Sequence, residues 1–395
     1  MEPIIQDLFL SVDPLFWILP AAALLSAIFA LLFPASALRK VGRYKPEESE
    51  VSSFPKASVI VYCFDPDDSL MDYLETLCAQ DYPDFEVIVV CEATAESIEM
   101  LSERVSRRFK NVYVTFIPPG SHNLSRRKLA LTLGMKAAKG ELVVTTVANA
   151  SIPSARWLSI LLAPLCAHGP VEVSLGYSHT DFSQMHGYGK WFREFSDLLT
   201  DSSWIGYALA GKPYRGDGYN LAFRRQIFFD HKGYSQSIYV HTGDDDIFIH
   251  EIATPDNTRM VLHPDSILSV GWGDSSRRVW RMRKEQYDFT SHWLPRAPFI
   301  KAGILSAMQW VVAGCCVAGA ILAWPALPIP IASLVVLLLF WLSEIFIYRK
   351  AAANMEATRL WWAVPFFWLL KGPLNFLFRM RHRRRRYKNF TWQRK

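Results

Sequence analysis

Ala57-Ser58-Val59-Ile60-Val61-Tyr62-Cys63 is an unbroken β-branched and apolar run. Alternating polarity would mark a strand with one wet face, whereas a continuous run marks a parallel strand buried on both. The residues that follow supply the cover. Leu70, Tyr73, Leu74, Leu77 and Cys78 fall at helical spacing within 67–80, with Asp68 or Ser69 as N-cap. Asp81-Tyr82-Pro83-Asp84 turns the chain into a second continuous strand at 85–91. The alternation repeats as a helix at 97–109, a strand at 112–117, a helix at 125–138 closed by Lys139-Gly140, and a strand at 141–147. Units this short need right-handed crossovers, so the expectation is an α/β fold with a mostly parallel sheet covered on both faces. Ligands of such sheets sit beyond the carboxyl ends of the strands, here Phe64-Asp65, Cys91-Glu92 and Val147-Ala148-Asn149.

Outward from this core the chain becomes apolar. Residues 15–33 and 302–324 carry no charge, and 327–343 follows a Pro-rich break and is completed by Ile345-Phe346-Ile347. Each approaches the roughly 20 residues that cross a hydrocarbon core. A chain of 395 residues with 51% hydrophobic content, 14 Trp and 25 Phe suits a membrane-anchored protein better than one soluble domain. Glu2, Asp7 and Asp13 precede the first span in place of a basic leader, so it reads as a retained anchor, not a signal peptide. Basic residues follow the first span (Arg39, Lys40, Arg43, Lys45) and the third (Arg349, Lys350). The positive-inside rule then places 40–300 in the cytoplasm. Residues 360–378, with Pro365, Lys371, Gly372 and Pro373, start and end on one side and read as re-entrant or interfacial.

The net charge of +6 belongs to the tail. Residues 379–395 hold nine Lys/Arg and no acid, and subtracting them leaves −3 for the rest. The run Arg383-Arg384-Arg385-Arg386 beside an apolar segment fits anionic lipid head groups, and no nucleic-acid module accompanies it. Cys63, Cys78, Cys91, Cys166, Cys315 and Cys316 show neither a disulfide framework nor metal spacing and read as reduced. The expected division is an anchor at 1–45, a soluble domain at 46–300, a transmembrane hairpin at 301–350 and a final membrane-surface segment at 351–395.

One stretch breaks the pattern of the soluble part. Val240-His241-Thr242-Gly243-Asp244-Asp245-Asp246-Ile247-Phe248 packs three carboxylates between a Gly turn and an apolar pair. Their repulsion pushes at least one pKa upward, a cost borne where a carboxylate acts as base, binds metal or meets a cation. An acidic first turn of a helix is the plainer reading. His186, His231 and His241 are scattered without metal-ligand spacing.

With these residues in place the sequence resembles a membrane-anchored family 2 glycosyltransferase over about residues 55–290. The resemblance is carried by Cys78-Ala79-Gln80-Asp81-Tyr82-Pro83-Asp84-Phe85, by Arg127-Lys128 with Gly134, Met135 and Gly140, and by Ile152-Pro153-Ser154 with Trp157-Leu158. Gly218-Tyr219-Asn220-Leu221-Ala222-Phe223-Arg224 and Gly243-Asp244-Asp245-Asp246-Ile247-Phe248 extend it. It implies a GT-A fold and inverting transfer of a sugar from a nucleotide donor to a lipid-linked or polysaccharide acceptor. It also implies a general base at Asp245, flanked by Asp244 and Asp246.

The departures bear on the donor side. Where the family carries Asp-x-Asp for a divalent ion, Mg²⁺ or Mn²⁺, this chain has Ala148-Asn149-Ala150, and a lone amide is a poor ligand for a hard cation. Donor-binding expectations are Asp65, Glu92, Lys128, Asn149 and Gly218. The family's Gln-x-x-Arg-Trp segment corresponds to 280–287, which makes Trp280, Arg283 and Lys284 candidates for the diphosphate or acceptor, beside Arg127, Arg277, Arg278 and Arg281. The competing reading of that run is an amphipathic helix on the membrane surface. Trp191 and Trp204 are acceptor candidates within a helical apolar stripe (Tyr188, Trp191, Phe192, Phe195, Leu198, Leu199) that reads more readily as core. The partners implied are a nucleotide sugar, a lipid-linked or glycan acceptor, anionic lipids at the tail and other glycan-assembly proteins. The location implied is a bacterial inner membrane with the catalytic domain cytoplasmic. Two other classes remain: a non-catalytic pseudoglycosyltransferase scaffold, suggested by the missing acids, and a lipid-binding adaptor, suggested by the tail.

Overall fold

The computed structural model describes residues 14–46, 51, 53–64, 66–118, 125–183, 185–187, 189–237, 240, 242–324, 327–357 and 362–382. Two helices, α1 (Ile18–Leu32) and α2 (Ser36–Arg43), lead into β1 (Ala57–Cys63), α3 (Ser69–Cys78), β2 (Phe85–Glu92), α4 (Ala95–Arg108) and β3 (Val112–Ile117). Next come α5 (Arg126–Ala137), β4 (Leu142–Val147), β5 (Ala150–Ser151), α6 (Trp157–Cys166), β6 (Val173–Leu175), β7 (Ser178–Thr180) and α7 (Gly189–Ala208). The soluble part closes with β8 (Leu221–Arg224), α8 (Arg225–Asp230), α9 (Asp246–Ile252), β9 (Thr258–Met260), β10 (Leu268–Val270) and α10 (Ser276–Thr290). Three further helices follow: α11 (Arg296–Leu322), α12 (Pro328–Asn354) and α13 (Val364–His382).

The main sheet has the order β3-β2-β1-β4-β8-β6-β9. β1 lies parallel to β2 and β4, with Val59 opposite Val87 and Val144, and β8 runs antiparallel between β4 and β6. Successive residues of β1 enter two different cores. Val59 and Val61 join Leu74 and Leu77 under α3, and Ile60 joins Ala130 and Met135 under α5. That double burial is why the strand carries no polar alternation. Local hydrogen bonds set the helix ends. Asp67 Oδ1 takes the Ser69 amide at 2.9 Å, so the helix expected at 67–80 begins at Ser69. Thr94 caps α4 and Ser125 caps α5, each accepting from the amide three residues on.

A second sheet, β5-β10-β7, sets the geometry beyond β4. β10 pairs antiparallel with β5 and parallel with β7, and so holds the chain just after β4 in a tight return. Strands of two or three residues leave no periodic trace, and the sequence gives no sign of them.

Three helices are long and apolar enough to cross a membrane: Leu15–Leu32, Arg296–Leu322 and Pro328–Asn354. α13 is not among them; it packs against α7, α11 and α12. The soluble and apolar parts are joined at α2, which packs against both α12 and α7. A Cβ at Gly42 would stand 2.9 Å from Lys350 Cβ, and one at Gly206 would stand 2.5 Å from the Ala37 carbonyl oxygen, so glycine alone permits this approach. Asn354 Nδ2 donates to the Val41 and Tyr44 carbonyls at 2.7 and 3.0 Å. Among the sequence expectations, Asp65, Tyr188, His241 and the Arg-rich run 383–386 lie outside the described residues.

Candidate functional site

The three carboxylates stand at the start of α9, beyond the ends of β1 and β4, and Gly243 brings them there. Its φ of +86° is a left-handed conformation that favours glycine, and an added Cβ would collide with Ile247. Asp244 and Asp246 are buried, at 8% and 3% exposure, while Asp245 is half-buried and reachable. Asp245 caps α9, its Oδ1 accepting the Asp246 amide at 2.8 Å. Its Oδ2 lies 3.4 Å from the Gly218 amide. A Cβ at Gly218 would fall 2.9 Å from Asp245 Cβ and 2.6 Å from Arg127 Nη2, so the loop before β8 approaches only because residue 218 lacks one.

Cations divide the three acids. Arg127 Nε stands 2.9 Å from Asp244 Oδ2, an ion pair formed from the first turn of α5. Burial raises Asp244 more than Arg127 lowers it. Burial also raises Asp245, but Arg127 and Arg215 together hold its carboxyl below the ordinary range. Asp246 has Thr290 as its hydroxyl donor, and burial followed by the Asp245 charge pushes it up to about 7. One carboxylate of the three is therefore both reachable and firmly ionised near neutrality, and it is Asp245.

The loop that meets Asp245 is itself anchored. Thr145 Oγ1 of β4 donates to the Gly218 carbonyl at 2.9 Å. Asn220 is fully buried, with Nδ2 donating to the Tyr177 and Ser266 carbonyls at 2.8 and 2.7 Å and Oδ1 accepting from Trp157 Nε1 at 3.1 Å. Asp217 accepts from the Ser178 amide at 2.8 Å, the Ser178 hydroxyl at 2.5 Å and the Tyr219 amide at 3.1 Å. The Tyr219 ring lies between two guanidinium groups, Arg127 at 4.4 Å and Arg283 of α10 at 4.8 Å. Sequence reasoning passes over Arg215 and Asp217, and reaches Tyr219 only as part of the Gly218–Arg224 motif. The Gly216-Asp217-Gly218 pattern, an acid between two glycines, was the available signal.

The other expected residues divide. Glu92 pairs with Tyr62 and Arg126 at the end of β2. Lys128 does not face the cleft. Its Nζ donates to the Ser237 carbonyl and hydroxyl at 2.7 and 3.1 Å and to the Val240 carbonyl at 3.1 Å, with burial lowering it to about 8. All three ammonium protons are spent on the segment that precedes the carboxylates, so the expected diphosphate contact is replaced by support of the acidic turn. Trp204 is core, buried at 2% with Nε1 on Asp201. Trp191 stands away from the carboxylates, edge-on to Trp362 at 5.9 Å. In α10 the run splits by face: Arg277, Arg278 and Arg281 are exposed, while Trp280, Arg283 and Lys284 turn inward. Trp280 Nε1 donates to Asp197 at 2.7 Å and Lys284 Nζ to Asn375 at 2.7 Å, so Arg283 alone of the three meets the Tyr219 side of the site.

A divalent ion, which the sequence resemblance implies, finds no suitable donor set at the end of β4. Asn149 Nδ2 donates to the Gly271 carbonyl at 2.6 Å, which commits the amide to the second sheet, and Ala148 and Ala150 offer nothing. Among the described residues no group of three or more His, Cys, Asp or Glu is arranged to hold a metal. The described residues at the end of β4 do not fit the ion.

With this geometry established, comparison with known proteins gives a consistent result. The family described as "Glycosyltransferase like family 2" matches residues 55–191. No curated protein matches the chain. Among solved structures, the mannosyltransferase PcManGT from Pyrobaculum calidifontis, in complex with GDP-Man and Mn2+, aligns over 90% of this chain and 99% of its own. The TM-score is 0.53 and the identity 20%, which shows a shared fold. S. aureus TarS 1-349 covers 76% of this chain and 89% of its own at a TM-score of 0.38 and 14% identity, too loose to carry an argument. The matched segment holds the ends of β1, β2 and β4 and the N-terminus of α5, and the aspartates complete the cleft from the second half. Residues 55–191 therefore resemble that family, and the chain shares the GT-A fold of the mannosyltransferase, joined to helices able to cross a membrane.

Proposed function

We propose that the protein is an inverting glycosyltransferase that moves a sugar from a nucleotide donor to a membrane-held acceptor at the cytoplasmic face. The observation that carries this reading is the separation of the three aspartates, with Asp245 alone reachable and held ionised by Arg127 and Arg215. An ionised carboxylate in the cleft can take the proton of an acceptor hydroxyl. The hydroxyl oxygen then bonds to the anomeric carbon from the face opposite the leaving group. The bond from that carbon to the nucleoside diphosphate breaks, and the proton remains on Asp245. Charge developing on the diphosphate needs a preorganised cation, and Arg283 is the proposed one, a reading supported by its stacking on Tyr219 beside Asp245. Glu92 and Asp65 are the proposed nucleotide contacts at the ends of β2 and β1, with Gly218 admitting close approach. Asn149 is committed to Gly271 and serves the shape of the pocket floor.

The competing reading, a scaffold that has lost catalysis, draws on the same commitment of Asn149. Substitution of the base separates the two. Asp245→Asn keeps shape and the cap to Asp246 but cannot take a proton. Transfer measured in membranes should fall by at least about 10², with nucleotide affinity and thermal stability little changed. Full glycan output from Asp245→Asn, together with loss of output when the whole chain is removed, would establish the scaffold.

A further inference from the structure

A cavity of 410 Å³ lies where α7 and α10 meet α11 and α13. Its two sides differ in kind. The polar lining is made by Arg215, Arg283 and Lys284, with Asp197 and Asp201 of α7. Toward the apolar helices stand Phe299, Gly303 and Ser306 of α11 and Gly372 and Phe376 of α13. Gly372 faces Ser306 with 3.7 Å between an added Cβ and the serine Cβ, and an added Cβ at Gly303 would meet nothing within 4 Å. The two helices thus leave an open seam beside the polar end.

Most polar groups around the space are already satisfied. Lys284 bonds Asn375 at 2.7 Å, Arg379 pairs with Asp288 at 2.8 Å, and Asp197 takes the Trp280 N–H at 2.7 Å. Arg215 is the exception. Its guanidinium lies 3.9 Å over the Tyr287 ring, yet Nε and Nη1 are buried with no hydrogen-bond partner. A buried cation with unused donors is a costly arrangement unless an anion fills it. Burial lifts Asp197 to about 7 and Asp201 to about 6, so an arriving anion can drive both toward their neutral, protonated forms.

We propose that this cavity receives the phosphoester group of a lipid-borne acceptor, held by Arg215, while the alkyl chain leaves along the seam between α11 and α13 at Gly303 and Gly372. The inference rests on the transfer reading above and names the class of its acceptor. Arg215 also neighbours Asp245 and Asp246, so a phosphoester held there brings a hydroxyl beyond it toward the base. A free phosphate has the same charge but no use for the apolar side, and the experiment separates the two.

Full-length protein in phosphatidylcholine nanodiscs is titrated with a fluorescent dodecyl phosphate, with dodecanol and inorganic phosphate as competitors. Dodecyl phosphate should saturate a single site, dodecanol should compete at least about tenfold more weakly, and inorganic phosphate should not displace the probe at equal concentration. Arg215→Gln and Gly303→Trp should each weaken the probe by about tenfold or more. The second fills the seam where no neighbour obstructs it, and so keeps the test meaningful if the first misfolds. Displacement by inorganic phosphate at equal concentration, equal competition by dodecanol, or an unchanged Gly303→Trp would each overturn the proposal. UDP and GDP titrations in the same discs separate the two readings. Nucleotide binding without probe binding refutes the cavity alone, and probe binding without nucleotide binding upholds the cavity while refuting transfer.

Discussion

Three neighbouring aspartates differ here because different groups surround them, not because of their position in sequence. Asp244 meets Arg127, Asp246 meets Thr290 in a buried niche, and Asp245 is left facing the cleft with two arginines nearby. The sequence showed that three acids at one turn must perturb each other, but could not say which would be ionised. That depended on Arg215, which no spacing ties to residue 245, and on Thr290 from a helix 44 residues on. The environment of Asp246 has a measurable consequence. Its folded pKa of about 7 lies above the ordinary 3.8, so between these values the folded state binds more protons than the unfolded state. Stability from this group is full below about pH 4 and is lost as pH rises through about 7. Asp246→Asn cannot titrate. The thermal midpoint of the variant relative to the native protein should therefore climb as pH is raised across that window. A difference that stays flat with pH would show that Asp246 is ionised when folded.

At the scale of elements, the continuous strands were legible because both faces are buried, and the helices between them because their apolar residues recur on one side. What escaped was short. β5, β7 and β10 hold two or three residues each, yet they fix the return after β4. There Asn149 gives its amide to the Gly271 carbonyl and takes the Gly271 amide on its own carbonyl at 3.2 Å. The loss of Asp-x-Asp could be read from sequence; the use of the remaining amide as a brace between two sheets could not. Lys128 shows the same limit, since a lysine at a helix N-terminus looks like a phosphate ligand until Ser237 and Val240 are seen to claim it. With no carboxylate pair at this turn, nucleotide binding should be nearly indifferent to EDTA. UDP or GDP titrated with and without Mn²⁺ tests it. A gain of tenfold or more, about 1.4 kcal/mol, would mean that other carboxylates have taken over the role.

At the scale of the molecule, the soluble fold and the apolar helices form one body. A single buried cluster runs from Ala23 and Ala27 of α1 through Phe195 of α7 to Tyr348 of α12. Gly42 and Gly206 allow α2 to lock the two parts together. The three helices long enough to cross a membrane were legible by length and composition, but the lock was not, because it depends on two glycines far apart in sequence. The lock gives the topology a physical consequence: α7, which walls the proposed acceptor cavity, must stay on the side where α2 emerges and α12 ends. The basic residues Arg39, Lys40, Arg43, Arg349 and Lys350 cluster at that level and favour the cytoplasm. A reporter inserted in 47–54 and one fused after Lys395 should both report cytoplasm, and one inserted at Pro325 should report the opposite side. The tail reporter is the sharper test, because α13 contains Lys371 and Pro373 and packs against α7. α11 touches α7 as well, so it is the charge and the proline inside α13 that disfavour crossing. An external signal from the tail would show that it does cross, and it would remove α13 from the wall of the cavity proposed to bind the lipid phosphoester.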